Sequence, residues 1–173
     1  LSTMPGLPMF GHGQIEGYSE KYGMEYYRPY WDETPDQALV DHHASVIFPL
    51  LHRRKVFAEV ENFRLYDFNT GSGVDENVFA YSNYWYGQSA LVIYNNRFSD
   101  TSGWIKQSVP FLVKESGNEH LRQSELAEAL GLQGASDAFV IYFDNISKLY
   151  YIRKLSELRE QGLFFELHAY THQ

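Results

Sequence analysis

Val78-Phe79-Ala80-Tyr81-Ser82-Asn83-Tyr84 and Ser89-Ala90-Leu91-Val92-Ile93-Tyr94-Asn95, with Tyr86-Gly87-Gln88 between them, are the stretch that decides the fold. Both runs follow a period of two, and the separator carries turn chemistry, so they read as an antiparallel hairpin. The same period begins near Val56 and marks strands over 56–60, 63–68 and 109–113. Asn69-Thr70-Gly71-Ser72-Gly73 and Ser99-Asp100-Thr101-Ser102-Gly103 read as turns between strands. Ser124-Glu125-Leu126-Ala127-Glu128-Ala129-Leu130 reads as a short helix stopped by Gly131. Segments 138–143 and 148–153 form a second hairpin across Asp144-Asn145-Ile146-Ser147. A helical turn to Gln161 and a last strand from Gly162 follow. Residues 56–173 therefore read as a mainly β, antiparallel, sandwich-like domain with short helices.

The preceding residues are organised differently. Residues 4–13 are apolar and punctuated by Pro5, Gly6, Pro8, Gly11 and Gly13, and read as one buried strand with tight turns. Residues 14–33 form a polar, aromatic loop carrying Tyr18, Tyr22, Tyr26, Tyr27, Tyr30 and Trp31. A loop of about 20 residues inside a domain is usually functional. Thr34-Pro35-Asp36-Gln37 then opens a helix over 35–55, with Thr34 as N-cap, Pro35 at N1 and Gln37 completing a capping box. Leu39, Val40, His43, Val46, Ile47, Leu50 and Leu51 share one face, and Pro49 predicts a kink near Phe48. His52-Arg53-Arg54-Lys55 suits a helix C-terminus. Residues 1–55 read as a strand–loop–helix unit.

Composition narrows the function. The 173 residues carry 14 Lys and Arg against 22 Asp and Glu, a net charge of −8. That argues against a sequence-independent nucleic-acid binder and against a polybasic membrane segment. No apolar run reaches the roughly 18 residues of a membrane span. With no cysteine, disulfides, thiolate catalysis and zinc–cysteine sites are excluded, while the compartment stays open. Aromatic residues make up 17% of the chain, which suits an all-β core, a carbohydrate-facing surface, or both. The opening Leu1-Ser2-Thr3-Met4-Pro5-Gly6 lacks the regions of a signal peptide, and the last strand runs on to Gln173. The chain thus reads as a piece of a longer protein, the alternative being a terminal strand tied into a sheet.

No motif announces a cofactor. Gly11-His12-Gly13-Gln14-Ile15-Glu16-Gly17 misses the dinucleotide fingerprint, whose third glycine would stand at Glu16. Two readings stand for this segment: a strand end presenting His12, Gln14 and Glu16 into a cleft, or a tight turn with solvated polar residues. No metal-ligand spacing is found. His42 and His43 point about 100° apart on a helix, and His168 and His172 would lie some 13 Å apart on a strand. There is no nucleophile elbow. Glu16, Glu20, Glu25, Asp32 and Glu33 offer either a glycosidase carboxylate pair or a solvated acidic loop. The Tyr18-to-Trp31 cluster either packs on sugar C–H groups or seals the loop against the helix. Asn145-Ile146-Ser147 is a glycosylation sequon, a common accident in proteins that are never secreted.

Met4-Pro5-Gly6-Leu7-Pro8-Met9-Phe10-Gly11-His12-Gly13-Gln14 resembles the strand-eight segment of glycoside hydrolase family 13, the α-amylase family. The pattern there is roughly PG-x-P, four residues, then G-Q/D/E-E. The family continues with the last barrel helix and an all-β C-terminal domain, the order seen here. Residues 78–83, the Gly87 turn and residues 90–96 are similar to the hairpin opening that domain, where an Asn commonly ends the second strand. The resemblance does not extend past about residue 105. The sequence departs from the pattern at Gln14-Ile15-Glu16, where the family has its carboxylate beside the Gln position.

The resemblance implies the final strand-loop-helix of a (β/α)8 barrel over 1–55, followed by a C-terminal β-rich domain over 56–173. A whole barrel needs about 250 residues. The family's catalytic carboxylates lie on barrel strands four, five and seven, which would all stand upstream of Leu1. The parent would hydrolyse or transfer α-glycosidic bonds in an α-glucan or oligosaccharide, and this chain alone would be inactive. No cofactor is implied. His12, Gln14, Glu16, Tyr22 and Trp31 become the candidate substrate-binding residues, on a loop lining the barrel mouth. The apolar face of the 35–55 helix has few partners here, so self-association through 1–55 is expected. The alternative is a non-catalytic carbohydrate-binding or interaction module; a third reading, a complete small enzyme, rests on Glu16 and Asp32.

Overall fold

The computed structural model describes residues 1–20 and 27–173. The chain divides into two compact units, Leu1–Ala58 and Glu59–Gln173.

In the first unit, residues 4–13 do not form the expected strand; the described residues of this unit contain none. Pro5 and Pro8 lack the N–H that a buried strand must donate. Leu7 and Met9 are 93% and 80% exposed, so the stretch is not buried either. It is held as a turn by Arg54. The guanidinium donates to the Ser2 carbonyl at 3.0 Å, to the Met4 carbonyl at 2.6 Å and to the Gly6 carbonyl.

The helical segment is broken into pieces. α1 (Gln37–His42) starts later than the Thr34 cap predicts. Asp36 is the N-cap, its carboxylate accepting from the Leu39 N–H at 3.2 Å, and a charged cap also favours the helix dipole. The interruption expected near Phe48 is a π turn over His43–Ile47, in which the Phe48 N–H reaches back five residues to the His43 carbonyl. Pro49 then sits in the first turn of α2 (Phe48–His52), where its missing N–H costs nothing. α3 (Arg54–Phe57) occupies part of the strand expected over 56–60 and buries Val56 and Phe57. No residue of α1, the π turn or α2 is buried.

The second unit is mainly β, and its ladders are antiparallel. In chain order it contains β1 (Arg64–Tyr66), β2 (Asn69–Thr70), β3 (Gly73–Val74), β4 (Val78–Trp85), β5 (Gln88–Asn95), β6 (Thr101–Ile105), β7 (Phe111–Glu115) and β8 (Asn118–Arg122). α4 (Leu126–Ala129), β9 (Phe139–Phe143), β10 (Tyr150–Lys154), α5 (Leu155–Gln161) and β11 (Leu163–Leu167) follow. One sheet has the order β1-β4-β5, another β11-β6-β2-β3, and β7-β8 and β9-β10 are two-stranded ribbons.

The hairpin that decides the fold is formed as read, with register from Val78↔Asn95 to Trp85↔Gln88. Its two turn residues, Tyr86 and Gly87, have φ of 43° and 82°, the backbone of a type I′ turn, which Gly87 adopts without a Cβ penalty. The strand expected to run from Gly162 to the end stops at Leu167. The chain then returns to β5, where Gln173 and Ile93 exchange both backbone bonds at 2.9 Å. β6 falls on a segment read as a turn because of Gly103. That glycine is required for another reason: a Cβ there would stand 2.6 Å from the Asn69 carbonyl oxygen, so β2 could not pair alongside.

The two larger sheets send Tyr66, Val78, Ala80, Ile93, Ile105, Leu163 and Leu167 into one core, which α4 and α5 complete with Leu126, Ala127, Leu130, Leu155 and Leu158. Two buried asparagines fix the strand ends. Asn83 Nδ2 donates to the Glu59 carbonyl at 2.8 Å, and Asn95 Nδ2 donates to the carbonyls of Ser99 at 2.7 Å and His168 at 3.0 Å. Asn95 thus joins the end of β5 to the segments beside β6 and β11.

Candidate functional site

The loop between the N-terminal turn and α1 is built on backbone hydrogen bonds that carboxylates collect. Gly13 closes a turn, its carbonyl accepting from Gly17 at 2.7 Å and Tyr18 at 3.0 Å. The Asp36 N–H donates to the Glu16 carbonyl at 2.8 Å, tying the loop's start to the cap of α1. Glu33 then reaches across the loop: Oε1 accepts from the Ser19 N–H at 2.8 Å and Oε2 from the Glu20 N–H at 3.0 Å. Glu20 reaches in the other direction, its oxygens accepting from Tyr30 N–H at 2.8 and 3.1 Å and from Trp31 N–H at 2.9 Å. The two glutamates form a reciprocal clasp. The amides of Ser19 and then Glu20 hold the Glu33 carboxyl below its ordinary range, with His12 adding a smaller favourable charge.

Each sequence-derived candidate has a definite place. His12 is exposed and its ring lies 5.6 Å from that of Tyr18. Gln14 turns back on its own turn, Oε1 accepting from the Gly11 N–H at 2.6 Å, so its side-chain oxygen is committed to structure. Glu16 is half-buried and lends its carbonyl to Asp36. Trp31 is 60% exposed, with its N–H on Glu20. Tyr22 lies outside the described residues. His12 joins the clasp through Tyr18 and Glu33, and Trp31 joins it through Glu20. Gln14 and Glu16 serve the turn and the loop's closure.

The clasp itself is what sequence reasoning missed. Glu20 and Glu33, open to reading as an acid pair or as solvated acids, also bond the loop's backbone amides, which neither reading anticipated. For Glu33, whose carboxyl is held low, accepting from those amides favours the ionised form and suits it poorly to protonating a leaving group. The loop presents aromatic surface instead: Tyr27 is 95% exposed and Tyr30 77%, and the guanidinium of Arg28 lies 6.0 Å from the Tyr27 ring centroid. Among the described residues, no group of three His, Cys, Asp or Glu side chains could hold a metal ion. No helix among them is long and apolar enough to cross a membrane. An open depression of about 520 Å³ in the second unit is lined by Tyr84, Leu132, Gln133 and Val140 among others. Tyr84 is the one titratable group in its lining.

No family model, curated protein or solved structure matches this chain.

Proposed function

We propose that this chain is the C-terminal part of an α-amylase-family glycoside hydrolase, with residues 1–58 the end of its (β/α)8 barrel and residues 59–173 its C-terminal domain. The observation that carries the reading is the helical segment 37–52. Its apolar residues keep to one face, yet none is buried. A face of this kind belongs against other elements, as the last helix of a barrel packs on its strands. The two larger sheets share one core, as in a β-sandwich.

In the parent, retaining cleavage or transfer of an α-glycosidic bond would use two carboxylates on strands upstream of Leu1. Loops at the C-terminal ends of barrel strands line the active site. The part supplied by this chain is then the clasped loop with His12, Tyr27, Tyr30 and Trp31. Its carboxylates hold the loop's backbone, and its rings offer flat faces to sugar C–H groups.

The exposure of Tyr27, Tyr30 and Trp31 also favours a second reading, a non-catalytic carbohydrate-binding module. Two measurements separate the readings. The purified 173-residue chain releases no reducing sugar from starch or maltooligosaccharides, and calorimetry detects no maltooligosaccharide binding, if its cleft is completed by the barrel. Binding that Trp31→Ala abolishes supports the module. Sugar release by the chain alone overturns the first reading, as does an encoding sequence upstream of Leu1 without carboxylates at the ends of strands four, five and seven.

A further inference from the structure

The ribbon β9-β10 wears its more apolar side outward. Its register, from Phe139↔Lys154 to Phe143↔Tyr150, sorts the side chains onto two faces. Val140, Tyr142, Tyr151 and Arg153 share the inner face, from which Arg153 reaches water. Val140 packs on the core, and the Tyr142 and Tyr151 rings stack with centroids 5.4 Å apart and planes 15° apart. Phe139, Ile141, Phe143, Tyr150 and Ile152 share the outer face, at 62%, 67%, 43%, 73% and 55% exposure. Lys154 is the one charged residue on that face. Alternation normally places the polar set in water; here five large apolar side chains face it instead.

We propose that this face is where a second copy of the chain docks, through a two-fold, face-to-face contact of the β9-β10 ribbons. The size fits. At about 200 Å² for a ring and somewhat less for an isoleucine, the five residues offer roughly 600 Å² of apolar surface before any rim is counted, against about 800 Å² per partner in a standard interface. That lies at the upper end of what monomers ordinarily leave uncovered, about 300–600 Å². The layout is self-complementary. Phe139 and Lys154 lie at one end of the ribbon, and the Phe143–Tyr150 ring pair, centroids 4.9 Å apart, lies at the other. A two-fold axis through the Ile141–Ile152 pair brings each Lys154 over the partner's ring pair. There its stem covers apolar surface and its ammonium faces aromatic rings.

The absence of native cysteine makes the contact directly readable. Sedimentation equilibrium of the whole chain is expected to show a monomer–dimer equilibrium in the micromolar range. Ile141→Lys, a substitution at an exposed position, weakens it at least tenfold with the circular dichroism spectrum unchanged. Ile152→Cys, beside the axis, yields a disulfide-linked dimer on mild oxidation, while Leu7→Cys in the first unit does not. A chain that stays monomeric at 200 μM overturns the proposal. So does association kept by Ile141→Lys and lost by Leu50→Lys, which places the contact on the α2 face of the first unit. Cross-linking through Leu7→Cys without Ile152→Cys overturns it equally.

Discussion

Burial pushes the Tyr66 phenol up to about 12 from an ordinary 10.0, against smaller opposing effects of the Ser82 hydroxyl and Arg64. Its oxygen lies 2.6 Å from Ser82 Oγ, and both residues are buried. The sign of the linkage follows. Below pH 10 the phenol is neutral in folded and unfolded chains alike, and its contribution is complete. As pH rises, the unfolded chain ionises first, so stability is lost from about pH 10 through pH 12. The loss is on the order of 1 kcal/mol by pH 11 and about 3 kcal/mol in full. Tyr66→Phe is expected to cost about 1–2 kcal/mol at neutral pH, because Ser82 loses its partner. It also flattens the alkaline decline. Urea unfolding at pH 8 and pH 11 measures both; an alkaline loss as steep in Tyr66→Phe as in the parent chain would assign it to other groups.

At the scale of elements, the clasp loop makes a prediction of the opposite sign. The folded Glu33 carboxyl is depressed from its ordinary 4.5, so its bonds are in place above that value and are lost as pH falls through the folded value. The amide resonances of Ser19 and Glu20 should titrate with a midpoint below 4.5. In Glu33→Gln that titration disappears, since an amide oxygen can replace only one of the two acceptors and carries no charge. A midpoint at or above the ordinary value, or a titration that survives the substitution, would remove the clasp. The elements also show what was legible in sequence. β4, β5 and the Gly87 turn could be read because period, turn chemistry and pairing are all local to 78–95. β6 could not be, because Gly103 serves a contact with Asn69, far away in sequence. β8 had no apolar alternation to read, all five of its residues being exposed, though Ser116-Gly117 before it is a hairpin signal of the Gly87 kind. Residues 4–13 misled because their apolar content suggested burial, whereas Pro5 and Pro8 withhold the donors a ladder needs. The clasp was illegible for a further reason: a glutamate bonding an amide 13 or 14 residues away leaves no periodic trace.

Across the whole molecule, the two units differ in what holds them. The second has a core drawn from two sheets and two helices, with Phe68 and Ile105 at 0% exposure and Ile93 and Leu167 at 1%. The first has helices of four to six residues, none of them burying a side chain before Val56. Helical segments this short gain most of their stability from packing an apolar face, which Leu39, Val46, Ile47, Leu50 and Leu51 do only in part. Local opening should therefore be far easier in the first unit. Native-state hydrogen exchange is the direct test. The amides of Ile93, Ile105 and their ladder neighbours are expected to exchange only through global unfolding. Those of α1 and α2 exchange at least on the order of a hundredfold faster, through opening of the unit alone. The same measurement bears on the proposed parentage, because joining the chain to the preceding barrel should raise protection in α1 and α2 and leave β4 and β5 unchanged. Equal protection of both units in the isolated 173 residues would mean that the 39–51 face is already covered, and the barrel would lose its strongest structural support.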